Sequence, residues 1–327
     1  MMPEPSTLDF LNVACQVCDH GSALERFRHI IFERGAMRAF NGVAYYEAAS
    51  EFDATEHFAI NELKLEQALR ATIDNEVTVK TNAEFIILKQ GKLTVRVRKL
   101  PPDEVDHPHP PRISKDLKVK LNFRAALEAV APFVSSDASR PWSVSVLIKD
   151  GYLWATNNLS MVRSPIEDKK LKGRIPGAVI PLLLMLPKFD AVALNDQLMS
   201  VWYGRSLLTF PQSLGEWPEV DHFYANRAKK LPKIEDDMLA AARTVEKFAD
   251  RFVTLTDTNV AGKMATIESE YEVAIRKGKG TYSARLLSLV LSHATHADFS
   301  KYPEPVPFES SLLEGVAVGV RPEFAQA

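Results

Sequence analysis

Two periodicities take turns along this chain. Six stretches space their apolar residues as an amphipathic helix does: Leu8–Cys18, Asn61–Ile73, Phe123–Val134, Pro181–Phe189, Asp237–Ala249 and Ser283–Thr295. In the first, Leu8, Leu11, Cys15 and Cys18 fall on one stripe. Between the helices, apolar and polar residues alternate with the period of two that predicts half-buried strands. A short strand precedes every second helix ("HFAI", "GAVI", "YEVAIRKGKGTY") and several follow it, as in "EVTVKTNAEFIILKQGKLTVRVRKL". The predicted unit is helix, strands, helix, strands.

That unit repeats. "FERGAMRAFNGVAYY" (Phe32–Tyr46) overlays "IKDGYLWATNNLSMV" (Ile148–Val162) without a gap, matching Gly35 to Gly151, Ala39 to Ala155 and Asn41-Gly42 to Asn157-Asn158. Asn-Gly is a strong hairpin signal because both residues tolerate positive φ, and Asn-Asn serves the same turn at some backbone cost. A third copy begins at the helix before "RFVTLTD". Three copies account for the 327 residues, with domains expected at 1–113, 114–230 and 231–327. The proline-rich and charged stretches Leu100–Asp116 and Asn226–Asp237 fit connectors or edge strands.

Composition adds limits. With 46% hydrophobic and 25% charged residues the chain reads as globular. A net charge of −2 announces no nucleic-acid partner, yet a basic face can hide within a neutral total. The two cysteines, Cys15 and Cys18, predict a reducing compartment without disulfides. The start "MMPEPSTLDF" lacks the basic and apolar regions of a signal peptide, and the apolar run Ala178–Leu186, interrupted by Pro181, is too short to span a bilayer. A cytoplasmic protein is expected.

Several chemical signals compete. Cys15 and Cys18 form a CxxC near His20 and His29, but their shared stripe predicts core thiols. His107 and His109 lie among prolines in a connector. "KGKG" (Lys277–Gly280) lacks the Lys-Ser/Thr and framing of a phosphate loop. Asp236-Asp237 reads as a helix cap. Neither G-x-S-x-G nor H-E-x-x-H occurs, so no catalytic residue, metal or cofactor is assigned.

The triplicate unit resembles the DNA polymerase processivity clamps, in particular the bacterial-type β sliding clamp family. The most specific stretch is "SSDASRPWSVSVLIKDGYLWATNNLSMVR". It is similar to the family segment in which an Arg-Pro stretch and a strand lead to Ala-Thr-Asp-Gly-His-Arg-Leu. Ala155 and Thr156 match, Asn157 stands for the Asp and Met161 for the Leu; Asn158, Leu159 and Ser160 depart from Gly-His-Arg. The resemblance implies an α+β fold with three repeated clamp domains per chain, helices lining a central pore and antiparallel sheets outside. Two such chains bring twelve inner helices. Axes ~10 Å apart on a ring ~120 Å around, less a ~5 Å helix radius on each side, leave a hole of roughly 28 Å, wide enough for duplex DNA.

The implied partners are double-stranded DNA held without sequence readout, a second copy of the chain head to tail, and a DNA polymerase and clamp loader that dock through short linear motifs; no membrane is implied. Lys64, Arg70, Arg124, Lys188, Arg243, Lys247 and Arg285 would line the pore, although solvated helix faces carry such residues too. The family's peptide pocket, between the second and third domains, would use Thr156, Asn158, Leu159, Met161, Pro218, Val220, Val320, Arg321 and Pro322. A plain turn with Leu159 and Met161 packed in the sheet is the structural alternative. The edges expected to join two chains are Glu76–Val79 and Tyr271–Ile275. Rival functions are a metal-dependent hydrolase on a repeated α+β scaffold and a clamp-like scaffold that closes no ring.

Overall fold

The structure, a computed structural model, describes residues 6–72, 77–101, 105, 113, 117–118, 122–224, 230–275 and 278–321. Among them the element order α, four strands, α, three strands occurs three times. The first set is α1 (Thr7–Val17), β1 (His29–Glu33), β2 (Ala36–Phe40), β3 (Tyr45–Ala49), β4 (Phe58–Asn61), α2 (Glu62–Arg70), β5 (Thr78–Thr81), β6 (Phe85–Gln90) and β7 (Leu93–Arg98). A short β8 (Leu117–Lys118) precedes the second: α3 (Asn122–Val130), β9 (Ser145–Lys149), β10 (Tyr152–Thr156), β11 (Ser160–Pro165), β12 (Gly173–Pro176), α4 (Ile180–Met185), β13 (Ala191–Leu194), β14 (Leu198–Tyr203) and β15 (Ser206–Pro211). The third is α5 (Met238–Glu246), β16 (Phe252–Leu255), β17 (Asn259–Met264), β18 (Ile267–Glu272), β19 (Gly280–Ser283), α6 (Ala284–His293), β20 (His296–Ala297), β21 (Val306–Glu309) and β22 (Glu314–Ala317).

The chain forms two compact units. Residues 1–121 and 178–212 make one. It holds an eight-stranded sheet, β4-β1-β2-β3-β15-β14-β13-β8, and a three-stranded sheet, β5-β6-β7. α1 packs on α2, α4 and strands β2 and β3. The N-terminus of α1 is closed by a capping box between Ser6 and Asp9, and its stripe buries Phe10, Leu11, Ala14 and Val17. Cys15 and Cys18 are buried in this core as free thiols, and burial pushes both well above the usual thiol range. Glu62, at the start of α2, is also buried; its carboxylate meets His20 Nδ1 at 2.5 Å and accepts from the Leu63 amide at 2.6 Å.

Residues 122–177 and 213–327 make the second unit, with a seven-stranded sheet, β12-β9-β10-β11-β22-β21-β20, and a four-stranded sheet, β18-β17-β16-β19. All named strand pairs in both units are antiparallel.

The overlaid hairpins agree in detail. Ala39 pairs with Tyr46 and Ala155 with Val162, the positions the overlay matches. Gly42 and Asn158 both adopt positive φ (91° and 71°). The preceding asparagines close the turn alike: Asn41 Oδ1 accepts from the amides of Val43 and Ala44, and Asn157 Oδ1 from those of Leu159 and Ser160. Helix ends depart further from expectation. α3 tightens into a single 3₁₀ turn at Ala131–Phe133, where Pro132 cannot donate. α4 stops at Met185, so Lys188 lies beyond the helix and pairs with Asp190 at 2.9 Å. Asp237 makes no side-chain cap on α5, and Asp236 pairs instead with Lys233.

Candidate peptide-binding surface and basic helix faces

The hairpin β10–β11 and the strand β22 meet in one sheet of the second unit, with Met161 opposite Val316 and Ser160 opposite Ala317. Their side chains join a segment from far along the chain. Trp154, Met161, Val220, Tyr224 and Val316 form one buried cluster, flanked by Leu147, Tyr152 and Trp217. Tyr224 is fixed at its polar end: its hydroxyl lies 2.9 Å from the Met161 carbonyl and 3.4 Å from that of Glu314. Arg163 stacks against the rings of Tyr152, Trp154 and Tyr224, at 4.4, 5.4 and 4.2 Å, and its guanidinium pairs with Glu314 at 2.8 Å. The cluster is thus an apolar floor with a boxed cation beside it.

Above the floor the surface is more open. Leu159, at the hairpin tip, is 45% exposed, and its carbonyl accepts from the amide of Val318, itself 39% exposed. Asn158 Oδ1 accepts from Arg140 at 3.2 Å, which puts a cation at the rim; its amide nitrogen donates to Ser135 Oγ. Thr156 is buried and spends its hydroxyl inside the turn, donating to the Ser160 carbonyl and accepting from the Asn158 amide.

The predicted pocket residues therefore divide. Asn158 and Leu159 are at the surface, and Met161, Val220 and Thr156 lie beneath it. Pro218 is exposed on the segment that carries Trp217 and Val220. Val320 bridges to Thr281, and its carbonyl accepts from the Tyr302 hydroxyl at 2.6 Å. Arg321 is exposed; Pro322 lies outside the described residues. Arg140, Trp217, Tyr224 and Val316 were not among the sequence candidates. Only Arg140, in the "RPW" stretch, had a local signal.

Of the basic candidates in the first unit, Lys64 and Arg70 stand on the exposed side of α2, Arg70 with Glu66 at 2.7 Å. In the second, Arg124 is half-buried on α3 with Glu128 at 3.3 Å. Arg243 on α5 and Arg285 on α6 are exposed, Arg243 donating to Ser292, and Lys247 is the C-cap of α5. α1 exposes Asp9, Asn12 and Gln16, and no cation. Among the described residues no group of three or more His, Cys, Asp or Glu could hold a metal ion; His107 and His109 lie outside them.

Solved structures decide the fold. The DNA polymerase III β subunit from Thermotoga maritima superposes with a TM-score of 0.77 at 12% identity, over 96% of this chain and 97% of that one. This chain has the fold of the β sliding clamps. The β subunit from Pseudomonas aeruginosa gives 0.75 at 14% identity and the same coverage. The Helicobacter pylori β clamp, solved with a DNA ligase peptide, gives 0.71 at 12%, again over 96% and 97%. No protein-family model and no curated protein matches the sequence. The clamp fold thus rests on architecture that so low an identity does not report.

Proposed function

We propose that this chain is a DNA sliding clamp. Two copies, joined head to tail, enclose duplex DNA and tether the replicative polymerase, raising its processivity; the chain performs no catalysis. The observation that carries this reading is the triple recurrence of helix, four strands, helix, three strands, in a fold shared end to end with solved clamps. The three domains are 1–113, 114–230 and 231–327. The pore is lined by Lys64, Arg70, Arg124, Arg243, Lys247 and Arg285, which attract phosphates without reading bases. Lys188 adds less, because Asp190 offsets its charge. The setting is the cytoplasm of a bacterial cell or an infected bacterial host; no helix among the described residues is long and apolar enough to cross a membrane.

The partner-binding site is the surface around Leu159, Asn158 and Val318 over the Met161–Val220–Val316 floor, completed by Pro218 and by Val320, Arg321 and Pro322. It takes a short linear motif from a polymerase or clamp loader: apolar side chains settle against Leu159 and Val318, and Asn158 and Arg140 meet the peptide's polar groups. That the Helicobacter pylori β clamp, a similar fold, was solved with a DNA ligase peptide supports a peptide-binding role.

The test is topological. Protein assembled on a nicked circular DNA should stay bound through a salt wash, and cutting the circle once should release it within the same wash. Equal loss from the circle and from the linear product would rule out a ring.

A further inference from the structure

The overlay of Phe32–Tyr46 on Ile148–Val162 extends upstream without a gap. It then also matches Asp19 to Ser135, Leu24 to Arg140 and Phe27 to Ser143, while within the hairpin Phe40 falls on Thr156 and Val43 on Leu159. The backbone agrees at these positions. The Asp19 amide donates to the Phe27 carbonyl at 2.8 Å, as the Ser135 amide does to that of Ser143 at 3.0 Å. The Phe27 amide donates to the Leu24 carbonyl, as the Ser143 amide does to that of Arg140. The surface around Leu159 thus has a counterpart in the first unit, around Val43. Val43 is 44% exposed, close to the 45% of Leu159. The third hairpin, closed by the Thr256 amide on the Asn259 carbonyl, carries Thr258 at the same place, so the turn itself does not require an apolar tip.

The two counterparts share a backbone and differ in side chains. At the second hairpin Asn158 holds Arg140, and the Thr156 hydroxyl is spent inside the turn. At the first, Gly42 replaces Asn158 and the Phe27 ring lies against it; a Cβ there would come within 3.2 Å of that ring. Phe27 meets Phe40 edge-on at 5.3 Å, and Phe40 lies 6.2 Å from the buried ring of Tyr45. Leu24, in the place of Arg140, is 49% exposed. The 3₁₀ turn Glu25–Arg28 sets the Arg26 guanidinium over the Phe27 ring, 5.1 Å from its centre. Among the described residues Arg26 pairs with no carboxylate, and neighbouring Glu25 lies instead with Arg28 and His29. A backbone acceptor is open as well. The Val318 amide donates to the Leu159 carbonyl, whereas the strand pairing puts Pro211, which has no N–H, at the matching place on β15. Among the described residues nothing donates to the Val43 carbonyl.

We propose that the first unit has a docking surface of its own, which takes an extended segment of a partner protein in which a large apolar residue adjoins an acidic one. The apolar side chain lies on Phe27, Phe40 and Val43, with Leu24 at one end. Arg26, aligned by the ring beneath it and without an acid of its own, meets the carboxylate. A peptide amide donates to the Val43 carbonyl, the bond that Val318 supplies from within the chain at the other hairpin. Charge separates the two surfaces, because Arg140 is already engaged by Asn158 while Arg26 has only a ring. A basic segment would set like charge against Arg26 and be rejected. The inference goes beyond the proposed function. It needs neither ring closure nor the expected Glu76–Val79 edge, whose Glu76 lies outside the described residues.

The experiment pans a displayed library of random heptapeptides on the full chain carrying Leu159→Asp, which disables the other surface. Enriched sequences should join Phe, Leu or Trp to Asp or Glu. One of them, made with a fluorophore, is then titrated by polarisation. Adding Val43→Asp should weaken its binding at least about tenfold. Arg26→Glu should also weaken it about tenfold, and should regain affinity for the same peptide with its acid changed to lysine. Both side chains are exposed, so both variants should keep the thermal transition of their parent. The chain without Leu159→Asp should bind the peptide equally well, so a failure of the Leu159 surface or of the ring leaves these titrations unchanged. No enrichment, or an enriched peptide whose binding ignores Val43→Asp, overturns the proposal. Binding that ignores Arg26→Glu, or a lysine peptide that gains nothing from it, overturns the acidic partner.

Discussion

The joints inside the chain and the edges at its ends solve one geometric problem with different chemistry. β3 and β15 bury Tyr45, Tyr46, Leu208 and Phe210 where they meet; β11 and β22 bury Met161, Val162, Val316 and Ala317. The β7 and β18 edges offer Arg96, Arg98, Glu270 and Glu272. An internal joint forms once, with the fold, and is never presented to solvent. An exposed edge must stay soluble, and a long apolar one would recruit other strands. Charge on the free edges keeps them soluble and discourages such pairing.

The comparison can be broken at the joints first. Met161→Asp would bury a carboxylate in the β11–β22 cluster without a cation of its own, and should prevent folding of the second unit, measured as lost near-ultraviolet circular dichroism. Leu159→Asp, two residues away but exposed, should leave stability within about 0.5 kcal/mol and instead weaken binding of a partner peptide by titration. If both variants fold alike, the floor is misplaced. Leu208→Ala on β15 should cost about 2–5 kcal/mol in denaturant unfolding, whereas Arg96→Ala on β7 should cost no more than about 0.5 kcal/mol in the monomer. Equal costs would erase the distinction between joint and edge.

A subtler test uses pH. Among the described residues the Tyr45 and Tyr46 hydroxyls on β3 are buried without a well-formed hydrogen bond, although the Ser206 side chain lies close enough to Tyr46 to oppose part of the effect of burial. Burial pushes both phenols above their usual range, with Arg38 partly opposing this at Tyr45. A raised folded-state value means that their contribution is fully present below the unfolded value near pH ~10 and is lost as pH rises past it. Unfolding monitored by fluorescence should therefore begin above about pH 10. Tyr46→Phe should delay it and change neutral-pH stability by less than about 1 kcal/mol, since the lost hydroxyl makes no well-formed hydrogen bond among the described residues. An unchanged alkaline limit would show that β3 does not govern it.

Much of this was legible in the residues, and what was hidden is physically specific. The Asn41-Gly42 and Asn157-Asn158 turns could be read because turn chemistry is local, and the gapless overlay carried the register with it. The thiols at Cys15 and Cys18 followed from their stripe. Helix ends were missed where a proline intervened, at Pro132 and around Pro187, which removed Lys188 from its helix. Burial of Met161 was hidden because its cover, Tyr224, comes from 63 positions away. The β7 edge was hidden as well. "LTVRVR" alternates like any half-buried strand, and only the strand orders show that among the described residues no strand pairs with its outer edge.

The central claim, a closed head-to-tail ring, is tested most directly by the mass of the wild-type protein in solution. Light scattering at micromolar concentration and low salt should give twice the 36.5 kDa chain mass. A species that stays at 36.5 kDa under those conditions would contradict it.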